Sequence, residues 1–392
     1  MTADLSLDVH TGAGTLPRDW DAVVAGSAAG SVFHRTGWLR AVERGTDLTP
    51  RHVVVSRDGS TVGLCPNFVS DVPLPVEVSD PVARFAPREL VSTEPGFGGP
   101  VLAGDHRRVL DRLLDGIRAA ATDDVWAHRL RALDSGAVSY ADHLDSRGYD
   151  AAVLTCQLAI DLSRPTDAIF DDWSKDRRRE ARKAREAGMT VTHVDVDSAV
   201  DPAALDGFYD AYAAMIDRVD GVRYPRAFVD ALTDELGDRL LVLRADLDEE
   251  PVGWHLYLRD DERDSLHHFF SGLRAEHFGH HPSSRIHEYA VEWAKSEGFT
   301  EYNFGESNAD VTDGGFAYKS QYGGSVSPVL TWERGLAPAR WTAFRAARRL
   351  YRTVQGRQRR TADETAERRV VDETAERRVV DETPTGSSAE SR

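Results

Sequence analysis

The sequence predicts a mixed α/β (α+β) protein made of two related units in tandem, and three features support this prediction. The order of predicted elements runs through helices, an antiparallel hairpin or meander, a long helix and further strands, and then begins again near residue 160. Short β-branched runs bounded by turn residues indicate mainly antiparallel strands. Amphipathic helices occur between these runs, so each sheet is expected to be flanked by helices.

The predicted boundaries follow from this repeat and from a change of composition near the C-terminus. We predict a first unit over 1–160, a second unit with the cleft over 161–335, a terminal helix over 336–360 and a tail over 361–392. The tail contains the run DETAERRVV twice, at 363–371 and 372–380. Mixed charges with only Val-Val as apolar residues cannot build a packed core, so we predict that the tail is disordered.

In the first unit, the polar and small residues 1–15 predict a frayed N-terminal segment. Ser31–His34 is predicted to be a short extended segment. Asp58-Gly59 predicts a hairpin turn, and five prolines over 71–95 predict a loop. The regular elements predicted here are helices from Pro17 and Thr36, strands Arg51–Ser56 and Thr61–Val69, a helix from Asp105, a strand Val125–Leu130, a helix Ala137–Ser146 and a strand Tyr149–Ile160.

In the second unit, Ser174 is predicted to cap a helix that Gly188 ends. Further predicted elements are strands Met189–Val194, Arg239–Ala245, Pro251–Leu258 and Ser265–Ser271, with helices over 202–218 and from Pro225 and Pro282. A short strand, Tyr302–Phe304, is predicted to break at Gly305 into an acidic loop. An aromatic segment, Phe316–Tyr322, and a last strand, Ser325–Trp332, follow this loop.

The charge of the chain indicates adaptation to high salt. The net charge is −17, from 65 acidic against 48 basic residues, and only four of the basic residues are lysines. Carboxylates keep a surface hydrated and soluble when salt screens nearly all charge interactions. We therefore expect a halophilic, cytoplasmic protein. General nucleic-acid binding is not expected, because counterion release is a weak driving force in such salt.

The two cysteines, Cys65 and Cys156, exclude a disulfide scaffold and have no metal-ligand spacing, so we predict that they fill the core. The first ten residues lack the basic and apolar regions of a signal peptide. No run approaches 18 apolar residues, so no transmembrane segment is predicted.

A row of arginines is the first candidate site. Arg178, Arg182 and Arg185 stand at i, i+4 and i+7 of the helix that begins after Ser174, so they share one face. Planar guanidinium groups bind phosphates or carboxylates with two hydrogen bonds, which suits an anionic donor or acceptor. The alternative interpretation is a solvated face held by salt bridges.

The start of the helix at Pro282 is the second candidate site. Ser283, Ser284 and Arg285 lie in its first turn, where free backbone N–H groups and the helix dipole favour an anion. Several histidines precede this helix, but they lack a recognised ligand spacing and a partner Cys or carboxylate in register. We therefore predict no metal site.

The stretch from Glu301 to Gly324 is the third candidate site. Glu306 is a candidate general base if it is desolvated, and Lys319 is a candidate cation for a developing oxyanion. The donor or substrate is predicted to contact four further residues of this stretch, Asn303, Phe304, Tyr318 and Tyr322. No nucleophile motif is present, so direct attack of an amine on an activated acyl group is the chemistry favoured. The alternative interpretation is a solvated loop.

Six segments together resemble the Fem-type aminoacyl transferases and the related BioF-like acyltransferases. They are SVFHRTGWLRAV, VGLCPNF, FGGPVL, SKDRRREARKAREAGMTV, SEGFTEYNFGESN and GGFAYKSQYGG, and the resemblance covers roughly residues 16–335. It implies two tandem GNAT-like domains that transfer an acyl group from a carrier to an amine. It also implies a catalytic role for the lysine of the Phe316-Ala317-Tyr318-Lys319 element.

The resemblance implies no tightly bound cofactor, and either acyl-CoA or aminoacyl-tRNA as the donor. The expected acceptor is a small-molecule amine or a glycan precursor, in cell-envelope or surface-glycan assembly, and tRNA is expected only as a donor. The family's phosphate loop is replaced by Arg274–Gly279, which has a different spacing. A catalytically inactive twin-GNAT binding or scaffold protein is therefore the alternative.

Overall fold

A computed structural model describes residues 4–72, 87–103, 106–133, 140–195, 205–219, 221–347 and 349. Its strands are β1 (Leu5–His10), β2 (Thr49–Pro50), β3 (His52–Arg57), β4 (Ser60–Cys65), β5 (Phe68–Asp71), β6 (Arg88–Val91), β7 (Val101–Leu102), β8 (Val125–Ala132), β9 (Asp150–Asp161), β10 (Thr190–Val194), β11 (Leu240–Leu247), β12 (Glu250–Asp260), β13 (Ser265–Leu273), β14 (Glu301–Asn308) and β15 (Ser325–Gly335). Its α-helices are α1 (Trp20–Ala25), α2 (Thr36–Gly45), α3 (His106–Ala120), α4 (Ala141–Ser146), α5 (Thr166–Asp171), α6 (Lys175–Glu186), α7 (Asp206–Arg218), α8 (Arg226–Leu236), α9 (Pro282–Ser296) and α10 (Gly314–Ser320).

The strands form two mainly antiparallel sheets, as the sequence predicts. Within the described residues, the larger sheet has the order β10-β11-β12-β13-β14-β9-β15-β8-β6-β5-β2, and the smaller one has the order β1-β3-β4-β7. Among the strands that the structure describes, only β13 with β14 and β6 with β8 pair in parallel. Apolar faces of α3, α6 and α9 are buried in cores shared with these strands. The predicted class, mixed sheets flanked by helices, is confirmed.

The two halves of the chain exchange their last strands. In the first half, β6 runs parallel to β8, and in the second half β13 runs parallel to β14. The strand that ends the first half, β9, pairs with β14, whereas the strand that ends the second half, β15, pairs with β8. The exchanged strands also pair with each other at the centre of the sheet. The boundary near residue 160 stays a prediction, and it falls at the end of a strand that both halves share.

Three local predictions in the first half are wrong. Residues 5–10 are not frayed, because Leu5, Leu7 and Val9 alternate along β1, which pairs with β3. The segment 71–95, which was predicted to be rich in loops, contains the strand β6, paired between β5 and β8, while its residues 73–86 lie outside the described residues. The predicted extended piece ends in a 3-10 helix, Val32–His34. In each case, residues distant in sequence form hydrogen bonds with the backbone or bury the side chains. Local composition does not reveal these contacts.

Residues 4–72 and 87–336 belong to one compact unit, whereas 337–347 belong to a second unit. Residues 338–347 are helical, within the terminal helix predicted over 336–360. The rest of that helix, apart from residue 349, lies outside the described residues, as does the predicted disordered tail over 361–392. In the part of the chain that is described, no helix is long and apolar enough to cross a membrane.

Candidate functional site

A cavity of about 340 Å³ lies where strands of both halves meet. Its size falls within the usual range for small-molecule sites. Aromatic rings form much of its wall, among them Phe33, Phe97, Tyr224, Phe269 and Phe304. Its polar lining includes His267, His268 and Ser271, together with five residues on which the chemistry depends: Glu94, Arg131, Gln157, Glu306 and Lys319. The cavity therefore combines an apolar interior with a small group of polar side chains that converge on it.

A β-bulge in β14 sets the direction of the polar side chains. The predicted break at Gly305 is wrong, because β14 continues to Asn308. Asn303 is opposite Ala159 and Glu306 is opposite Gln157, so three steps along β14 match two steps along β9. The extra residue places Asn303 and Glu306 on the same face, where a regular strand would place them on opposite faces.

Gly305 enables this bulge, and we expect Gly305→Ala to destabilise the protein. Its φ is +75°, and an added Cβ would lie 2.6 Å from the carbonyl oxygen of His268. We expect a loss of about 1–3 kcal/mol in the free energy of unfolding, measured by urea denaturation. Gly279→Ala is the matched control, because an added Cβ there meets nothing within 4 Å. Equal stability of the two variants would contradict a strained bulge.

Lys319 lies in the last turn of α10, and its ammonium group reaches β14. Nζ donates a hydrogen bond to the backbone carbonyl oxygen of Glu306 at 2.7 Å. Burial lowers the pKa of Lys319 to about 8, although the nearby charge of Glu306 opposes this shift. Asp313 begins the helix by accepting a hydrogen bond from the Phe316 N–H. The short helix α10 therefore places a cation with a lowered pKa in the wall of the cavity.

Glu306 is held by an arginine from the other half of the chain. The guanidinium group of Arg131, in β8, forms ion pairs with Glu306 and with Glu94. Arg131 also donates a hydrogen bond to the Gly96 carbonyl oxygen at 2.8 Å. Burial raises the pKa of Glu94, although Arg131 opposes this shift. The arrangement gives two carboxylates around one half-buried arginine, beside Lys319.

Four other predicted site residues lie in a network of hydroxyl groups. Ser283 and Tyr318 are joined by a hydrogen bond of 2.8 Å, and the hydroxyls of Tyr318 and Tyr322 lie 2.7 Å apart. Ser284 contacts the Tyr322 hydroxyl at 3.2 Å and donates to Glu180 at 2.8 Å. Burial raises the pKa of both tyrosines, so both hydroxyls stay protonated at neutral pH. These residues join α9 to α10 and are not part of the cavity lining.

The arginine row lies on an exposed face of α6. Arg178 pairs with Asp171 at 3.3 Å, Arg182 with Glu186 at 3.7 Å and Arg185 with Glu288 at 3.4 Å. None of the three lines the cavity. Exposed ion pairs of this kind contribute little to stability, so an anionic ligand can replace their carboxylates. Anion binding by the row stays a prediction.

Two other arginines near the row have defined partners. Arg285 pairs with Glu288 at 3.1 Å. Arg177, which the sequence analysis did not single out, pairs with Glu180 at 2.8 Å and lies 5.1 Å from the centre of the Tyr318 ring. Arg177 therefore connects α6 to the hydroxyl network.

Several of the histidines are buried and neutral. Burial lowers the pKa of His267 and of His268 to about 3, and it lowers those of His255 and His287 as well. In the described part of the chain, no three His, Cys, Asp or Glu side chains are arranged to hold a metal ion. These rings pack with the aromatic residues of β12 to β14, as between His287 and Phe304 at 5.1 Å.

Glu94, Arg131 and Gln157 were not predicted as site residues from the sequence. They lie at least 149 positions before Glu306, in the half of the chain where no site was predicted. No local motif marks them, because their position depends on the exchange of β9 and β15. The only sequence signal is indirect, since a buried polar residue in a predicted strand requires a partner.

Comparison with known proteins identifies the fold. Residues 174–320 match the model of the acetyltransferase (GNAT) domain. The crystal structure of FemX is similar with a TM-score of 0.64 and 14% identity, over 87% of this chain and 99% of that chain. A search of curated protein sequences finds no match.

Two further structures extend this similarity. A tandem GNAT protein from the clavulanic acid biosynthesis pathway has a TM-score of 0.50 and 12% identity, over 85% of this chain and 99% of that chain. The C-terminal domain of a protein described as a lysylphosphatidylglycerol synthetase, from Agrobacterium fabrum, has a TM-score of 0.51 and 12% identity. The similarity covers 84% of this chain and 94% of that chain. The resemblance found in the sequence is confirmed at the level of fold, which is a GNAT-like fold similar to those of FemX and the tandem GNAT protein.

Proposed function

We propose that this chain, with its Fem-type GNAT fold, transfers an acyl or aminoacyl group from an activated carrier to an amine. The observation that supports this proposal best is that Lys319 and Glu306 line one cavity, with Nζ of the lysine 2.7 Å from the Glu306 carbonyl oxygen. A cation and a carboxylate at one site are what amide formation needs, because negative charge develops on the acyl oxygen and the amine loses a proton.

In the proposed reaction, the neutral amine attacks the acyl carbon and the C=O electron pair moves to oxygen. The protonated Lys319 stabilises this oxyanion, and the Glu306 carboxylate takes the proton that the amine loses. Reformation of the C=O bond breaks the bond to the carrier, and the carrier leaves with the proton that Glu306 had taken, which restores the carboxylate. The rings around the cavity exclude water, which would otherwise compete with the amine. Arg178, Arg182 and Arg185 are proposed to bind the anionic part of the donor or acceptor.

The donor is proposed to be an acyl-CoA or an aminoacyl-tRNA, and the acceptor a small amine or a glycan precursor of the cell envelope. The similarity to FemX and to a protein named for lysylphosphatidylglycerol synthesis supports aminoacyl transfer in the envelope. The match of residues 174–320 to the acetyltransferase (GNAT) domain model supports an acyl-CoA donor. Cytoplasmic location and salt adaptation are part of the same proposal.

The proposal is tested by incubating the full chain with acetyl-CoA, longer acyl-CoAs or aminoacyl-tRNAs and a panel of primary amines, at several salt concentrations. Amide products are measured by mass spectrometry. We expect one donor class to give product that depends on both enzyme and amine. Release of the carrier without amide formation would contradict transfer to an amine.

A non-catalytic binding protein is the second candidate, and one observation favours it. The segment in place of the phosphate loop includes a 3-10 helix, Ala275–His280, and Arg274 is paired with Glu250 at 3.1 Å. If no donor gives product, a thermal-shift screen with the same donors distinguishes binding from inactivity. A ligand at 100 times its Kd raises stability by about 2.7 kcal/mol.

The pKa of Lys319 predicts the pH dependence of this reaction. Because the lysine must be protonated to stabilise the oxyanion, kcat is expected to fall as pH rises through about 8. Lys319→Arg keeps its charge in this range, so its residual kcat should show no such decline. Profiles of kcat against pH for the two proteins test this. The same decline in both would assign it to another group.

A further inference from the structure

Gln157 has a buried amide nitrogen without a partner, in the lining of the cavity. The residue lies on β9 and is 1% exposed. Within the part of the chain that the structure describes, its Nε2 makes no hydrogen bond. Buried donors in native proteins almost always have partners, and an unsatisfied one requires an explanation. A ligand group bound in the cavity would supply this missing partner.

The neighbouring hydrogen bonds fix which end of the amide is free. Oδ1 of Asn303 accepts a hydrogen bond from the Gly305 N–H at 2.8 Å, so the other end of the Asn303 side chain must be its NH₂ group. That group donates to Oε1 of Gln157 at 2.8 Å. Since a backbone N–H can only donate, neither amide can be reversed without placing two donors or two acceptors together. Nε2 of Gln157 is therefore the free atom.

Gln157 also has the correct position for the proposed chemistry. It lies directly opposite Glu306 across the β9–β14 pair, and side chains at opposed positions share one face of a sheet. Lys319 contacts the backbone of the same Glu306. The three residues line the same cavity. The amide donor is therefore beside the carboxylate and the ammonium group to which the transfer step was assigned.

We infer that Nε2 of Gln157 donates a hydrogen bond to the carbonyl oxygen of the acyl group during transfer, an inference that rests on the proposed function. As the amine nitrogen bonds to the acyl carbon, the C=O electron pair moves to this oxygen, and both Gln157 and Lys319 stabilise the negative charge. The amine proton passes to Glu306, and the carrier leaves when the C=O bond reforms. Asn303 positions the amide and does not touch the substrate.

The inference is tested with Gln157→Met, which keeps the length of the side chain and removes the donor, and with Gln157→Glu, which keeps an oxygen toward Asn303. Loss of one oxyanion donor typically costs about 100-fold or more in kcat, and we expect such a loss for Gln157→Met with little change in KM. The control is Ser327→Ala, at the position opposite Gln157 on β15, which does not line the cavity. The control should keep the kcat of the unaltered protein.

The pH dependence of Gln157→Glu distinguishes a catalytic donor from a structural group. A glutamate at this position would be buried beside Glu306, so its pKa should be raised, and its protonated form can donate a hydrogen bond. The ratio of its kcat to that of the unaltered protein should therefore rise as pH falls. A ratio that does not change with pH, or a Gln157→Met variant with unchanged kcat, overturns the inference.

A spectroscopic measurement separates failure of the inference from failure of the proposed function. The chain has four glutamines, Gln157, Gln321, Gln355 and Gln358, so selective ¹⁵N-glutamine labelling gives four side-chain amide signals, and Gln157→Met identifies one of them. If the protein forms no amide with any amine, the proposed function fails. The Gln157 signal is then followed during titration with acetyl-CoA, a longer acyl-CoA and an aminoacyl-tRNA. A shift of the Gln157 amide signal with any of these donors supports its contact with the acyl carbonyl. Absence of a shift with all three donors overturns the inference.

Discussion

Replacement of Lys319 by alanine is expected to lower kcat by about 100- to 1000-fold, because it removes the cation that stabilises the oxyanion. The lysine makes a single hydrogen bond among those described, to the Glu306 carbonyl oxygen. Burial already lowers its pKa to about 8, so the folded protein holds this charge at a cost. We therefore expect the melting temperature of Lys319→Ala to stay close to that of the unaltered protein while kcat collapses.

Lys183→Ala is the matched control for this prediction. Lys183 is an exposed lysine of α6 and does not line the cavity. Both variants lose one lysine from a protein that has only four, so a general effect of charge would appear in both. Unchanged kcat in Lys319→Ala, or equal losses in the two variants, would refute the proposed role of Lys319.

Replacement of Arg131 by methionine is expected to lower both stability and activity. Arg131 is 12% exposed and is paired with Glu94 and Glu306, which would be left together without a compensating charge. Because the two carboxylates are partly exposed, we expect a loss of about 1–3 kcal/mol in the free energy of unfolding. Because Arg131 also fixes Glu306, we expect kcat/KM to fall by about 100-fold. Urea denaturation and steady-state kinetics measure the two effects.

Arg129→Met separates the two effects. Arg129 lies two positions earlier on β8 and pairs with Glu89 at 2.7 Å, outside the cavity lining. We expect Arg129→Met to lose about as much stability as Arg131→Met. Its kcat/KM should stay that of the unaltered protein under conditions where both variants are folded. If Arg129→Met loses as much kcat/KM as Arg131→Met, the activity loss reflects destabilisation and not the position of Glu306.

Most helices and strands were predictable because residues adjacent in the sequence determine where they begin and end. Ser174 was predicted to cap a helix, and its hydroxyl accepts a hydrogen bond from the Arg177 N–H at 3.2 Å. Asp58-Gly59 was predicted as a hairpin turn, and it joins β3 to β4. Caps and turns depend on a few adjacent residues, so composition and spacing were sufficient. β6 was missed because its pairing with β5 and β8 outweighs the prolines around it.

The candidate site was predictable in part. Glu306, Lys319 and Phe304 were singled out from one stretch, and the structure brings them to one cavity. Ser283, Ser284, Tyr318 and Tyr322 were predicted to contact the substrate or donor, but they meet one another in a network beside that cavity. The sequence pattern of a serine at a helix start and a tyrosine in a loop is the same whether these residues bind a ligand or each other. Only their spatial partners decide between the two.

The class of fold, the candidate lysine and carboxylate, and the resemblance to the Fem-type family were predictable from the sequence, because each rests on residues close together in the chain. The tertiary structure alone decided that β9 and β15 change places, which brings Arg131 and Gln157 from the first half to Glu306 in the second. It also decided, through the bulge at Gly305, that Asn303 and Glu306 face the same way. The physical reason is that strand partners and their register are fixed by burial and hydrogen bonding over long separations, which no local pattern encodes.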